Sequence, residues 1–313
     1  SAQTINNGID LSGEGGLVWI KERSSSGSDN HLTDTVRGIK NPLNSDSTAA
    51  ENTYYANNNQ GITAFNNNGF TVASGSNFND NGDTAVSWTF RKAPKFFDVV
   101  TYSGNGQSTR TLSHNIGGNV GMVLIKGLNE TEDWQVYHRS ASTGKILRLN
   151  NTGAEADLGN SVDHISGSTI TLSKAGNPSY SANDSGVNYV AYLFAHNNSD
   201  GGFGADSEDI IKCGSYTGNG ALGNAINLGF EPQWLLVKNA SSSANWNIVD
   251  AMRGTVTGGI DALLFTNTNA AEANTVNRFK FTATGFEPET EGNLNSNHNG
   301  DTYIYMAIRR GPL

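Results

Sequence analysis

Two short runs in this sequence carry side chains spaced for cation chemistry. Asn79-Asp80-Asn81-Gly82-Asp83 and Asn297-His298-Asn299-Gly300-Asp301 set oxygen donors one or two residues apart, as calcium-binding loops do. The candidate ligands are Asp80, Asp83 and Asp301, and Ca2+ is the candidate ion. Turn formation competes with this reading, because Asn, Asp and Gly suit tight turns for backbone reasons. Neither run ends in the Glu of a helix-flanked loop, and the comparable run Asn183-Asp184-Ser185-Gly186-Val187 has no second acid. Turn chemistry outweighs the ion, and no cofactor is expected.

Other chemistries find less support. Cys213 is the single cysteine, so no intrachain disulfide or cysteine-based zinc site can form. Its flanks, Ile210-Ile211-Lys212 and Gly214-Ser215-Tyr216, read as a strand in which a thiol packs as a small apolar group. The six histidines share no repeat position, and a metal site needs imidazoles that converge. Gly104/Gly106 and Gly218/Gly220 lack the third glycine and following helix of a nucleotide loop. A glycosidase needs two facing carboxylates, and any two of 29 acids could meet in space. Yet an enzyme usually carries one irregular site, whereas this chain repeats itself; no catalytic residue is assigned. The five tryptophans invite sugar stacking, but most sit in apolar runs and read as core. Trp88, beside its turn, and Phe203 are the candidate ligand-binding aromatics.

The elements that would position such groups come from internal repetition. An apolar run ending in lysine recurs three times: Leu17-Val18-Trp19-Ile20-Lys21, Met122-Val123-Leu124-Ile125-Lys126 and Trp234-Leu235-Leu236-Val237-Lys238. Trp134 and Trp246 follow the last two at one spacing. Asp34-Thr35-Val36-Arg37-Gly38 matches Asp250-Ala251-Met252-Arg253-Gly254. Polar stretches ending in Ala-Glu recur at Glu51, Glu155 and Glu272 and suggest a helical turn each at most. Each copy closes on a Gly turn and an aromatic, β-branched run: Thr84-Ala85-Val86-Ser87-Trp88, Asn188-Tyr189-Val190-Ala191-Tyr192 and Thr302-Tyr303-Ile304-Tyr305-Met306. That pattern predicts a hairpin.

Short apolar runs between Gly and Asn punctuation, with 37 glycines and 16% charged residues, predict an all-β chain. The fold expected is three tandem antiparallel β-sandwich units of jelly-roll or concanavalin type, over 1–92, 93–197 and 209–313. A Gly/Asp-rich linker would cover 198–208. Unit one lacks the opening strand present at Val100-Thr101-Tyr102-Ser103 and Gly214-Ser215-Tyr216-Thr217, so it reads as N-terminally incomplete. Net charge is −9 with no basic tract, against nucleic-acid binding. No run approaches a membrane span, and no basic or apolar leader opens the chain.

The strings Phe96-Phe97-Asp98-Val99-Val100-Thr101-Tyr102-Ser103-Gly104-Asn105-Gly106, Leu228-Gly229-Phe230-Glu231-Pro232-Gln233-Trp234 and Gly300-Asp301-Thr302-Tyr303-Ile304-Tyr305-Met306 resemble a repeat domain of tailed bacteriophages, common in marine phages. The resemblance covers essentially the whole chain. It implies a lectin-like sandwich at the virion surface, a fibre or head-decoration component, with other virion proteins as partners and homo-oligomerisation as an array or trimer. A carbohydrate-binding role toward a host-surface glycan is the alternative, and a polysaccharide depolymerase the third reading. The resemblance supplies no catalytic motif.

Overall fold

The computed structural model describes the 313-residue chain apart from positions 40, 53, 76, 158–161, 174–180, 200–207, 256–258, 275–276, 290–291 and 312–313. The chain is all-β, with strands paired antiparallel in several open sheets. Among the described residues the helical content is one short turn, Tyr54–Asn57. No described helix is long and apolar enough to cross a membrane.

Each sequence repeat contributes one large and one small sheet. The lysine strands, Gly16–Glu22, Val120–Gly127 and Pro232–Asn239, lie inside the large sheets. On one side each pairs with a closing strand, Ala85–Arg91, Asn188–Ala195 or Thr302–Arg309. In repeats two and three an opening strand, Phe97–Ser103 or Ile211–Thr217, covers the far side of the closing strand. In repeat one the described strands put no partner there, leaving a four-stranded sheet against five elsewhere. The small sheets have three strands each and the same order.

The turn before each closing strand forms as expected, with Gly82, Gly186 and Gly300 at positive φ, where a side chain would be strained. It is not a hairpin turn, since the closing strand pairs with the lysine and opening strands rather than with the segment preceding the turn. The Ala-Glu stretches of repeats two and three do not become helical turns; Ala156 and Ala273 bridge instead to Ile146 and Leu263.

Burial explains why the lysine strands are continuously apolar. A strand facing water on one side alternates, whereas one buried on both faces does not. Val18 and Ile20 pack with Phe70 and Phe78 inside repeat one, while Leu17 and Trp19 point the other way. In repeat three Leu235 and Val237 face Phe279 and Phe286, and Trp234 and Leu236 face away. The outward residues of all three repeats join one shared core, which includes Trp19, Trp134, Trp234 and Trp246.

Three equivalent seams close the repeats into a cycle. The Glu51 amide donates to the Leu128 carbonyl, Glu155 to Ala240, and Glu272 to Arg23, at 2.8, 2.9 and 2.8 Å. Running the other way, Gly27 donates to Asn269, Glu132 to Thr48 and Ala244 to Thr152. Indole N–H groups repeat the pattern: Trp134 donates to Asn44 O and Trp246 to Arg148 O, both at 2.8 Å. At the corresponding place in repeat one the Asn30 amide reaches Phe265 O at 3.2 Å. The recurring Ala-Glu of the sequence is therefore a seam element.

Candidate functional site

Equivalent positions in the three repeats hold different chemistry at one corner, between the end of the lysine strand and the turn before the closing strand. The residue after the buried lysine is Glu22, Gly127 or Asn239. Each lysine ammonium is satisfied by the next residue's carbonyl, Lys21 to Glu22 O at 2.7 Å and Lys126 to Gly127 O at 3.0 Å, with Lys238 to Asn239 O alike. Burial lowers all three, Lys126 and Lys238 to about 8. These lysines are structural.

In repeat three the corner is filled and hydrogen-bonded. Asn239 donates to Asp301 Oδ2 at 2.8 Å, to Leu294 O at 2.8 Å and to the Tyr303 hydroxyl at 3.2 Å. His298 stands 3.3 Å from Asp301. Tyr216 of the opening strand stacks on Tyr303, centroids 4.9 Å apart, and edges onto Phe286. Tyr305 also meets Phe286, edge to face with centroids 5.3 Å apart. Repeat two keeps the stack as Tyr102 on Tyr189. There Glu132, raised to about 7 by burial, occupies the space beside Gly127, where any side chain would collide with it.

Repeat one is the exception. Ala85 and Ser87 stand where repeat three has Tyr303 and Tyr305, and among the described residues no opening strand delivers a counterpart of Tyr216. The result is a cavity of about 150 Å³ walled by Ile5, Ile20, Phe70, Val72, Ala85 and Ser87. Glu22, Asp80 and Asp83 share its wall, and one oxygen of each lies within 4.8 Å of the others. Glu22 is 1% exposed. Its Oε2 accepts from the Ser28 hydroxyl, but its Oε1 is buried without a hydrogen-bond partner. Ser24 and Ser25 hydroxyls fix the two oxygens of Asp83 at 2.9 and 2.8 Å.

The expected candidates separate accordingly. Asp80 and Asp83 are brought together, with Glu22 as a third carboxylate that reading one run at a time misses. The signal was present in the aligned copies, where Lys21-Glu22 faces Lys238-Asn239 and Asp80 faces His298. Asp301 belongs to the hydrogen-bonded network of repeat three. Trp88 is buried, at 8% exposure. Its indole N–H donates to Asp250 at 3.0 Å, the Arg253 guanidinium lies 5.3 Å from its ring centroid, and Trp19 meets its edge. Phe203 lies outside the described residues. Cys213 is fully buried and its thiol is pushed far up by that burial, unsuited to a nucleophile. His31 and His138 are buried in different repeats, held down to about 3 and about 4 by desolvation.

The seams carry the other concentration of charge. Arg253 binds Asp250 at 2.6 Å and Glu272 at 2.9 Å, and Glu272 also binds Arg23 at 2.6 Å. Arg37 repeats this with Asp34 and Glu51 at 2.6 and 2.7 Å, and the Tyr192 hydroxyl donates to Asp34 at 2.8 Å. Burial opposes the Arg37 charge, yet Tyr192, Asp34 and Glu51 hold its pKa above the ordinary value. At the third seam His138 replaces the aspartate and contacts the Tyr305 carbonyl at 3.0 Å.

A family described as a domain of unknown function, DUF7483, matches residues 2–312. No curated protein and no solved structure matches the chain.

Proposed function

We propose that this chain, which belongs to the DUF7483 family, is a structural module of a bacteriophage virion, a fibre or surface-decoration component serving particle assembly, host attachment or both. In this reading each repeat is one antiparallel β-sandwich of jelly-roll or concanavalin type, its large and small sheets being the two layers. The observation that carries the proposal is the closed cycle of seams. Backbone bonds and a tryptophan N–H bond at each contact, with a continuous core, make three repeats one rigid body. A rigid body with threefold repetition suits a particle component, because neighbouring copies can engage equivalent faces.

Burial of the tryptophans favours scaffold over lectin. Trp19, Trp88, Trp134, Trp234 and Trp246 are all below 9% exposure, whereas sugar recognition by stacking needs an open ring face. The apolar groups that do reach solvent, Met252, Ile260 and Leu222 foremost, suit contacts with other virion proteins. The cavity of repeat one is smaller than the roughly 300–1,000 Å³ usual for organic ligands, which argues against a depolymerase cleft there. Mass spectrometry and electron microscopy of purified particles test the proposal, and absence of the protein from virions overturns it. A glycan array tests the lectin alternative, with no binding expected.

A further inference from the structure

We propose that Glu22, Asp80 and Asp83 form a binding site for one hard divalent cation of the Ca2+ class, present in repeat one and absent from the other two. Clustered acids alone would not carry this, since exposed carboxylates often gather without an ion. Three further observations do. Glu22 is 1% exposed and its Oε1 has no hydrogen-bond partner, a costly state for a buried carboxylate. The three side chains line a cavity of about 150 Å³, room for an ion with water but not for a sugar ring in a binding pose. The described residues offer no ion pair to Asp80 or Asp83; Lys21 lies within electrostatic reach of Glu22, but its ammonium is bonded to the Glu22 carbonyl.

The comparison between repeats supplies the logic. Repeat three braces the same corner with an amide and an imidazole, Asn239 and His298, around the single carboxylate Asp301. Repeat one replaces both with carboxylates, so the brace must come from a positive charge. A cation held between Glu22 of the lysine strand and the 80–83 turn would tie those elements together as Asn239 does. All three donors are oxygen, which selects Ca2+ or a similar hard ion over metals that prefer nitrogen or sulfur. Ca2+ takes 6–8 oxygens, so water and backbone carbonyls complete its shell. Mg2+ demands tighter octahedral geometry and should bind more weakly.

Isothermal titration of Ca2+ into the chelator-treated whole chain tests this. One site per chain is expected, with the melting temperature rising by roughly 5 °C at a hundredfold excess over Kd. The double variant Glu22→Asn/Asp80→His copies repeat three and should fold with an unchanged far-ultraviolet spectrum while losing the binding heat. Asp83→Asn, which alters one atom of a partly exposed side chain, should weaken binding at least about tenfold. Absence of both heat and thermal shift in the parent chain at millimolar Ca2+ overturns the proposal. So does undiminished binding by either variant.

Discussion

Repeats one and three share strand order, lysine capping and a Gly-centred turn, yet their closing corners have opposite character. In repeat three Asn239, Asp301 and the Tyr216 and Tyr303 hydroxyls are all hydrogen-bonded, and three tyrosines occupy the interior. In repeat one an alanine and a serine leave space, and a buried glutamate oxygen stays unpaired. The lesson is that a repeated frame separates two tasks. Backbone pairing and capped lysines hold the frame, while two or three side chains decide whether a corner is filler or site.

The comparison can be broken from its strongest side first. Tyr303→Ala removes a fully buried ring that stacks on Tyr216 and accepts from Asn239, and should cost about 3–5 kcal/mol in denaturant unfolding. It would open in repeat three a space like that of repeat one. A loss below about 1 kcal/mol would mean that the tyrosines merely occupy the corner and do not support it.

At the seams, Arg253→Met leaves Asp250 with the Trp88 N–H but no cation and removes one partner of Glu272, both almost fully buried. A loss of about 3–5 kcal/mol is expected. Glu272 keeps its contact with Arg23, which softens the effect. Replacing both Asp250 and Arg253 by apolar residues should recover much of the loss.

The third seam differs by pH. His138 is held to about 4 inside the protein against an ordinary value near 6.5. The unfolded chain therefore takes up the proton first, and stability drains as pH falls from about 6.5 to about 4, by up to about 3 kcal/mol. Denaturation midpoints across that window should fall less steeply in His138→Asn. An identical slope would place the acid sensitivity elsewhere, His31 being the next group to replace.

The smallest effect carries a sign. Asp301→Asn loses a charge-assisted bond from Asn239 and should cost about 1 kcal/mol. Its counterpart Asp83→Asn, measured without divalent ions, relieves like-charge crowding and should be neutral or slightly stabilising. If both lower the melting temperature equally, the two corners are not electrostatically opposite.

Much of the frame was legible in the sequence because it is written three times. The lysine strands and the closing strands follow from aligned strings. The inter-repeat seams were less so, since nothing local marks a carbonyl such as Asn44 O as the acceptor for an indole more than eighty residues away. One signal existed: Leu17-Val18-Trp19-Ile20 is apolar at every position, whereas a one-face-buried strand alternates. Asp80 and Asp83 were legible as a candidate pair, but a turn-forming Asn-Asp-Asn-Gly-Asp run looks the same with or without an ion. Glu22 lies far away in sequence and enters only through the Lys21–Val86 register. The burial of Trp88 was not legible, because a strand aromatic faces core or solvent according to register, which the sequence does not fix.

The cycle of seams has a consequence for copy number. In a linear array of repeats each unit touches only its neighbours, the ends need capping units, and a unit can be gained or lost with little effect on the rest. Here Arg23 in the first repeat and Glu272 in the third complete the same kind of contact that joins the others. A ring has no terminal unit to cap. A fourth copy would have to break a seam to enter, and losing one would leave two large sheets without the neighbours that bury their outer faces.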